Sequence, residues 1–235
     1  MLSLATQGVA FSKNHLHYRS SYLLFKHQYH FMKISAIKFL FVFFCSCVAF
    51  TSFSQYNWKL TKKKDGISVY QSEVKNSAYK SIKVECTFQG TYDKLLSVLN
   101  DVGNHQNWVY NNKDASLIKR ISPTEFYYYT ETSLPWPMTN RDAVVHLKIA
   151  KDSLNRFVKV SAMAEPGYLP KKSGKVRVPQ SNVQWHVTMP TTKTIHIVYT
   201  FEADPGGSVP TWLVNSFADK GPFESFKKLE QILKN

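Results

Sequence analysis

From Ala115 to Ala203 the chain carries six strand-like runs in succession, with no stretch of helical period between them. They are Ala115–Ser122, Glu125–Ser133, Arg141–Lys151, Asn155–Ala164, Lys175–Thr188 and Thr194–Ala203. Several joints, "SPTE", "KDSLN" and "PTTK", are turn-like, so these runs pair as antiparallel neighbours. A sheet of this kind has an apolar face that another layer must cover. The chain supplies one long amphipathic segment for that purpose, after "DPGGSVP" (Asp204–Pro210). There Trp212, Leu213, Phe217, Phe223, Phe226, Leu229 and Leu233 fall on or near one side, and Lys220, Glu224, Lys227 and Lys228 mainly on the other. Pro210 suits a first-turn position, and Gly221-Pro222 is expected to kink or restart the helix.

Upstream, Ile67–Gln71 alternates like a strand. Ser77–Gln89 sets Ile82, Val84, Cys86 and Phe88 against Lys83, Glu85 and Thr87, the pattern of a half-buried strand with one wet face. The period then changes. "TYDKLLSVLND" places Tyr92, Leu95, Leu96 and Leu99 at helical spacing behind a capping Thr91. "GNHQNWVYN" predicts a further helical turn or two with Trp108 packed inward. The expected fold is therefore α+β: a curved antiparallel sheet around a long C-terminal helix, with two short helices after the second strand. Sixteen Phe, 13 Tyr and 5 Trp imply a wide interior filled with rings, or a cavity lined by them.

The N-terminus is a different regime, because the first acidic residue is Asp65. "MKISAIKFLFVFFCSCVAFTSFSQ" (Met32–Gln55) has a basic start, an apolar run Phe39–Phe50 and a small-x-small ending at Ser52-Phe53-Ser54. That is the layout of a secretory signal peptide cut between Ser54 and Gln55. The run falls short of the roughly 20 residues that span a bilayer; an uncleaved anchor or a buried helix are the alternatives. Met1–Phe31 reads as an upstream extension that does not fold, with Met32 as the expected start. Removing residues 1–54 takes away five basic residues and no acids, lowering the formal charge from +14 to +9 over 181 residues. An exported chain so charged favours anionic surfaces, lipid headgroups among them, over nucleic acid. Cys45 and Cys47 lie in the signal segment, leaving Cys86 alone, which excludes an internal disulfide and a cysteine zinc cluster. Cys47 as an acylation site lacks the branched aliphatic residue that "FCSC" would need to supply. One domain, residues 55–235, and a monomer are expected.

Two connections are long. "LPWPMTNRD" (Leu134–Asp142) brackets Trp136 with prolines that end strand pairing and fix a hairpin rim. Arg141 and Asp142 then point to opposite faces. Arg141 shares its parity with Ala143, Val145, Leu147 and Ile149, so it faces inward. There it needs a carboxylate such as Glu131, or a ligand's polar end. The other connection, "EPGYLPKKSG" (Glu165–Gly174), is long enough for a flap whose Tyr168 and Leu169, beside Lys171 and Lys172, could touch a membrane or simply be solvated. Asp204-Pro205-Gly206-Gly207 predicts a tight turn with positive φ at a glycine, and a hinge is its second reading.

No phosphate-cradling glycine loop, His-Glu-x-x-His or G-x-S-x-G elbow is present. His146, His186 and His196 lie on predicted strands; His186 and His196 belong to neighbouring strands and could approach each other, but two strand histidines have no third ligand, so no metal and no cofactor are expected. "FYYY" lacks the RNA-recognition signature.

Taken in order, "DGISVY" (Asp65–Tyr70), "LLSVLND" (Leu95–Asp101) with Trp108, "LPWPMTNRD", "GKVRVP" (Gly174–Pro179) and "DPGGSVPTWLVN" (Asp204–Asn215) resemble the START (StAR-related lipid-transfer) domain of the helix-grip superfamily. The resemblance runs from about Trp58 to the C-terminus. It implies a sheet wrapped around the terminal helix and a tunnel between them for one lipid or other hydrophobic molecule. It further implies carriage rather than catalysis, with helix and loops as lid. The candidate ligand contacts are Trp108, Tyr129, Glu131, Trp136, Arg141, Val145, Trp212, Phe217, Phe223 and Phe226. The candidate lid and hinge residues are Asp204, Pro205, Gly206, Gly207, Tyr168 and Leu169. Two rival readings stay open. One is a cavity enzyme like the superfamily's cyclases and hydrolases, working from Glu131, Arg141 and His146; the other is an envelope interaction module with a filled core and no cavity above about 300 Å³.

Overall fold

A computed structural model of the chain describes residues 56–74, 77, 79–152, 154 and 157–234, the side chains of Thr211, Asn215 and Asp219 excepted. The extension Met1–Phe31, the expected signal segment Met32–Ser54 and the expected strand start at Asn155 lie outside the described residues. Among the described residues ten strands form one sheet: β1 (Lys59–Lys64), β2 (Ile67–Glu73), β3 (Lys80–Gln89), β4 (Asn112–Ser122), β5 (Glu125–Thr132), β6 (Arg141–Asp152), β7 (Phe157–Ala164), β8 (Val176–Arg177), β9 (Gln180–Thr191) and β10 (Thr194–Asp204). Between β3 and β4 lie α1 (Tyr92–Asn100), a single 3-10 turn (Val102–Asn104) and the one-turn α2 (His105–Trp108); α3 (Thr211–Lys234) closes the chain.

The order across the sheet is β1-β2-β3-β10-β9-β7-β6-β5-β4, antiparallel throughout, with β8 added parallel to the start of β6. β3 meets β10 because α1 and α2 carry the chain away and the six-strand meander returns to the edge that β3 left open. Thr91 begins α1 by accepting a hydrogen bond from the Lys94 backbone N–H at 3.3 Å, with Asp93 in the first turn, where the helix dipole favours a negative charge. Its Tyr92, Leu95 and Leu99 are buried.

Three elements depart from the expectation. β1 is a strand although "KLTKKK" shows no alternation. It is a solvated edge, a place where lysines are favoured over apolar side chains, and Lys62 Nζ lies 3.7 Å over the ring of Phe223. The expected strand Lys175–Thr188 is divided at Val178-Pro179, since proline cannot donate to a ladder; the two residues of β8 pair with β6 instead of β9. Of the kink or restart expected at Gly221-Pro222, the restart does not occur, and α3 runs unbroken through Pro222. Packing outweighs the one lost donor. Phe223, Phe226, Leu229 and Leu233 are all buried, each fully buried apolar side chain contributing about 1.5–3 kcal/mol. Gly221 lets the helix approach the Tyr110 ring, where a Cβ would sit 3.3 Å from Cδ1.

The core is one cluster that joins the inner face of the sheet to α1, α2 and α3. The second half of α3 packs solidly: Leu229 is fully buried, and Leu233 Cβ would lie 3.5 Å from a Cβ added at Gly90. The first half does not fill the space beneath it.

A cavity between the sheet and the terminal helix

Where α3 stands off from the sheet there is a cavity of about 390 Å³. Leu213, Phe217, Ala218 and Phe226 of α3 form one wall, and Tyr128, Val145, Leu147, Ala162, Trp185 and Tyr199 of the strands form the opposite wall. Trp108 and His105 of α2 close the side. Such walls follow from period-2 alternation in the strands, which sends every second side chain inward. Their rings are mutually oriented. Trp185 stacks on Phe226 at 5.3 Å and meets Tyr199 edge-on at 5.0 Å, while His105 sits edge-on to both Trp108 and Tyr128 at 5.5 Å.

Burial controls the chemistry of the polar groups here. Desolvation pushes the Tyr128 phenol up to about 12 and raises Tyr199 further. It also lowers the His105 imidazole below its ordinary value, against the opposing hydrogen bond between Nε2 and the Leu99 carbonyl at 3.0 Å. The histidine is thus held neutral at neutral pH. Cys86, buried beneath α3, has its thiol raised far out of the reactive range by desolvation. The charged side chains lining the cavity are Lys80 and Arg141, and no aspartate or glutamate lines it among the described residues.

The sequence-predicted site residues divide into two groups. Trp108, Arg141, Val145, Phe217 and Phe226, together with Pro205 of the turn, line the cavity; the others do not. Thr132 stands directly opposite Arg141 and Glu131 opposite Asp142, so Glu131 and Tyr129 lie on the outer face of the sheet with Asp142. Arg141 therefore does not pair with Glu131. Its Nε and Nη2 donate to the carbonyls of Pro205 (3.4 Å) and Gly206 (3.1 Å), and its Nη1 to that of Thr139. Glu131 accepts from Asn140 (2.8 Å) and pairs with Lys175 and, at 3.6 Å, with Lys113. Burial opposes its ionisation, but Lys175 and Asn140 more than offset that, and its carboxyl is held below the ordinary value.

Trp136 is 93% exposed and Trp212 71% exposed, each on a segment beside the cavity without lining it. Phe223 faces β1 beneath Lys62, three residues before Phe226 and turned away from the cavity. Tyr168 and Leu169 are likewise not at the cavity. Tyr168 stacks at 4.2 Å on Tyr127, which stacks at 4.1 Å on His146, so the flap lies along the outer face. The turn at Asp204–Gly207 has the expected geometry: Gly206 and Gly207 have φ of +70° and +61°, and the Gly206 N–H donates to Asp204 Oδ1 at 2.8 Å. A side chain at Gly206 would also meet Pro179 Cδ at 3.0 Å. Pro205 lines the cavity directly.

Two features escaped the sequence reading. Tyr128, Trp185 and Tyr199 form much of the wall, and only the strand register identifies which tyrosine of "FYYY" faces inward. The second is Arg177, which grips Asp142 through two bonds of 2.9 and 3.0 Å in a pair that is essentially fully buried. Arg177 also donates to the carbonyls of Pro166, Leu169 and Pro170, pinning the flap to the sheet.

The START domain profile matches residues 51–235. Over 176 residues the chain is 31% identical to an uncharacterized protein of Pseudomonas aeruginosa, covering 74% of this chain and 85% of that one. It is 25% identical over 183 residues to the phosphatidylcholine transfer protein of Mus musculus, covering 76% of this chain and 85% of that protein. Among solved structures, a STAR-related lipid transfer protein fragment from Xanthomonas axonopodis is 34% identical with a TM-score of 0.70, the match covering 76% of this chain and 99% of that one. Human StAR-related lipid transfer protein 5 shares the fold at 20% identity and a TM-score of 0.67, covering 86% of this chain and 97% of that one. A curved sheet closed by a C-terminal helix over an apolar cavity, with a family match across essentially all the described residues, identifies this chain as a member of the START domain family.

Proposed function

We propose that this protein is an exported, monomeric carrier that binds one hydrophobic molecule, a lipid or lipid-like compound, between the sheet and α3 and performs no chemistry on it. The observation that carries this reading is the apolar cavity of about 390 Å³ walled by Trp108, Tyr128, Val145, Trp185, Phe217 and Phe226. Expulsion of water from such walls supplies affinity at roughly 25 cal/mol per Å² of apolar surface buried. Family membership and the phosphatidylcholine transfer protein among the relatives support lipid as the ligand class. A catalytic reading would need an acid–base pair in the cavity. His105 is engaged with a backbone carbonyl, and among the described residues no carboxylate lines the wall.

Exchange takes place at an anionic membrane surface. The charge of +9 on residues 55–235 steers the protein there. The exposed Trp136 and Trp212 suit the lipid–water interface, where amphipathic indoles concentrate. They flank the end of the cavity at which Arg141 ties the β5–β6 hairpin to the Pro205–Gly206 turn. Transfer of a fluorescent lipid between vesicles containing phosphatidylglycerol is expected to slow sharply with added salt and to fall several-fold in Trp136→Ala/Trp212→Ala. A rate indifferent to both would remove the membrane step.

The cavity itself is tested by filling it. Val145→Trp is expected to weaken binding of the neutral probe N-phenyl-1-naphthylamine at least tenfold while the unfolding midpoint stays within a few degrees. Wild-type affinity in that variant would refute the site.

A further inference from the structure

We propose that the cargo is a single-chain amphiphile whose polar end is anionic, with that end held at Arg141. This rests on the carrier reading above and adds the chemical class of the ligand. Two independent observations lead to it, one of size and one of charge.

The cavity of about 390 Å³ lies near the lower end of the range for ligand sites, about 300–1,000 Å³. That size suits a ligand of one acyl chain, whereas two acyl chains and a phosphodiester headgroup call for the upper part of the range. A compact polycyclic molecule would also fit by volume, so charge has to separate the two.

Arg141 is 95% buried, since only 5% of it remains exposed, and its guanidinium is always charged. Burial lowers its pKa, with the Tyr79 phenol acting in the opposite sense. A buried cation is ordinarily matched by a carboxylate. Among the described residues Arg141 has no carboxylate within ion-pair distance, and its three partners are the neutral carbonyls of Thr139, Pro205 and Gly206. Those bonds use three of its five N–H groups, leaving one hydrogen on each terminal nitrogen, the pair that grips a carboxylate or phosphate oxygen pair in bidentate fashion. Among the described residues the other charged lining residue is Lys80, from the start of β3; Glu73, which pairs with it at 3.5 Å, does not line the cavity. The wall is therefore apolar over most of its area and cationic at one end. A neutral polycycle would leave that charge uncompensated, whereas an anionic end group compensates it. Thr130 and Thr132 lie on the same inner face of β5, next to Ala143 and Arg141, and offer hydroxyls for the ligand's remaining oxygen lone pairs.

The test is displacement of N-phenyl-1-naphthylamine from the mature chain by myristate, methyl myristate and vesicles of dipalmitoyl phosphatidylcholine, repeated with Arg141→Gln and Arg141→Lys. Myristate is expected to displace the probe at a concentration at least tenfold below that of its methyl ester. Arg141→Gln should abolish the difference and Arg141→Lys should keep part of it. The wild-type comparison of acid with ester decides the matter even if Arg141→Gln fails to fold. Equal displacement by acid and ester, or tighter displacement by the two-chain phospholipid, overturns the inference and leaves the carrier reading standing. Failure of the probe and of all three competitors to bind strikes the carrier reading itself.

Discussion

Replacing Arg177 with methionine is expected to lower the unfolding free energy by about 3–5 kcal/mol, the cost of stranding a buried charge. Its side chain is 2% exposed and that of its partner Asp142 is 1% exposed, so almost no water reaches the carboxylate that would be left behind. The local field makes matters worse, since Glu131 stands directly opposite Asp142 in the β5–β6 register. Lys175 and Lys113 balance Glu131 but not Asp142. The substitution also releases the carbonyls of Pro166, Leu169 and Pro170, so the flap loses its anchor at the same moment. Urea denaturation at neutral pH gives the number, and Asp142→Asn/Arg177→Met should recover a large part of the loss because the orphaned charge is gone. A loss below about 1 kcal/mol in the single variant would show that the pair is dispensable. Probe binding should be little changed in the folded fraction, because the pair lies on the face opposite the cavity.

Phe226→Ala should cost a similar amount, about 3–5 kcal/mol, for a different reason. Phe226 is 2% exposed and bridges the two halves of the fold, stacked on Trp185 of β9 at 5.3 Å and edge-on to Tyr199 of β10 at 5.2 Å. Truncation removes both ring contacts and leaves a void continuous with the existing cavity, so the surroundings cannot collapse to refill it. The distinguishing consequence concerns the ligand. A molecule that binds only the folded state stabilises it by about 2.7 kcal/mol at a hundred times its dissociation constant. Saturating N-phenyl-1-naphthylamine should therefore restore much of the lost stability in Phe226→Ala, read as a shift of the urea midpoint. A variant neither destabilised nor rescued would mean that Phe226 is not part of the wall.

The inward direction of Arg141 was legible because an alternating run, Arg141 to Ile149, announces its own buried face. Its partner was not. In antiparallel strands the opposing residues run in opposite directions, so the connection between them sets which parity of β5 shares a face with the odd residues of β6. The structure pairs Thr132 with Arg141, and this alone moves Glu131 and Tyr129 outward and Tyr128 inward. The run "FYYY" has no alternation of its own that could have reported this. Trp212 was expected to pack under the sheet and Trp136, on the hairpin rim, to touch the ligand, yet both stand in solvent beside the cavity. β1 was invisible for the converse reason, since a lysine-rich edge strand satisfies its geometry without any apolar pattern.

Local information in the chain thus determined the number and kind of most elements, the glycine turn ahead of the last helix and the curved-sheet architecture, because periodicity and turn chemistry act over a few residues. The tertiary structure decided which faces meet: that Arg141 binds backbone carbonyls, that Asp142 and Arg177 close the flap, and that the first half of α3 stands away from the sheet while the second half packs against it. Those outcomes depend on strand register and on volume left unfilled, and both are properties of segments brought together from distant parts of the chain.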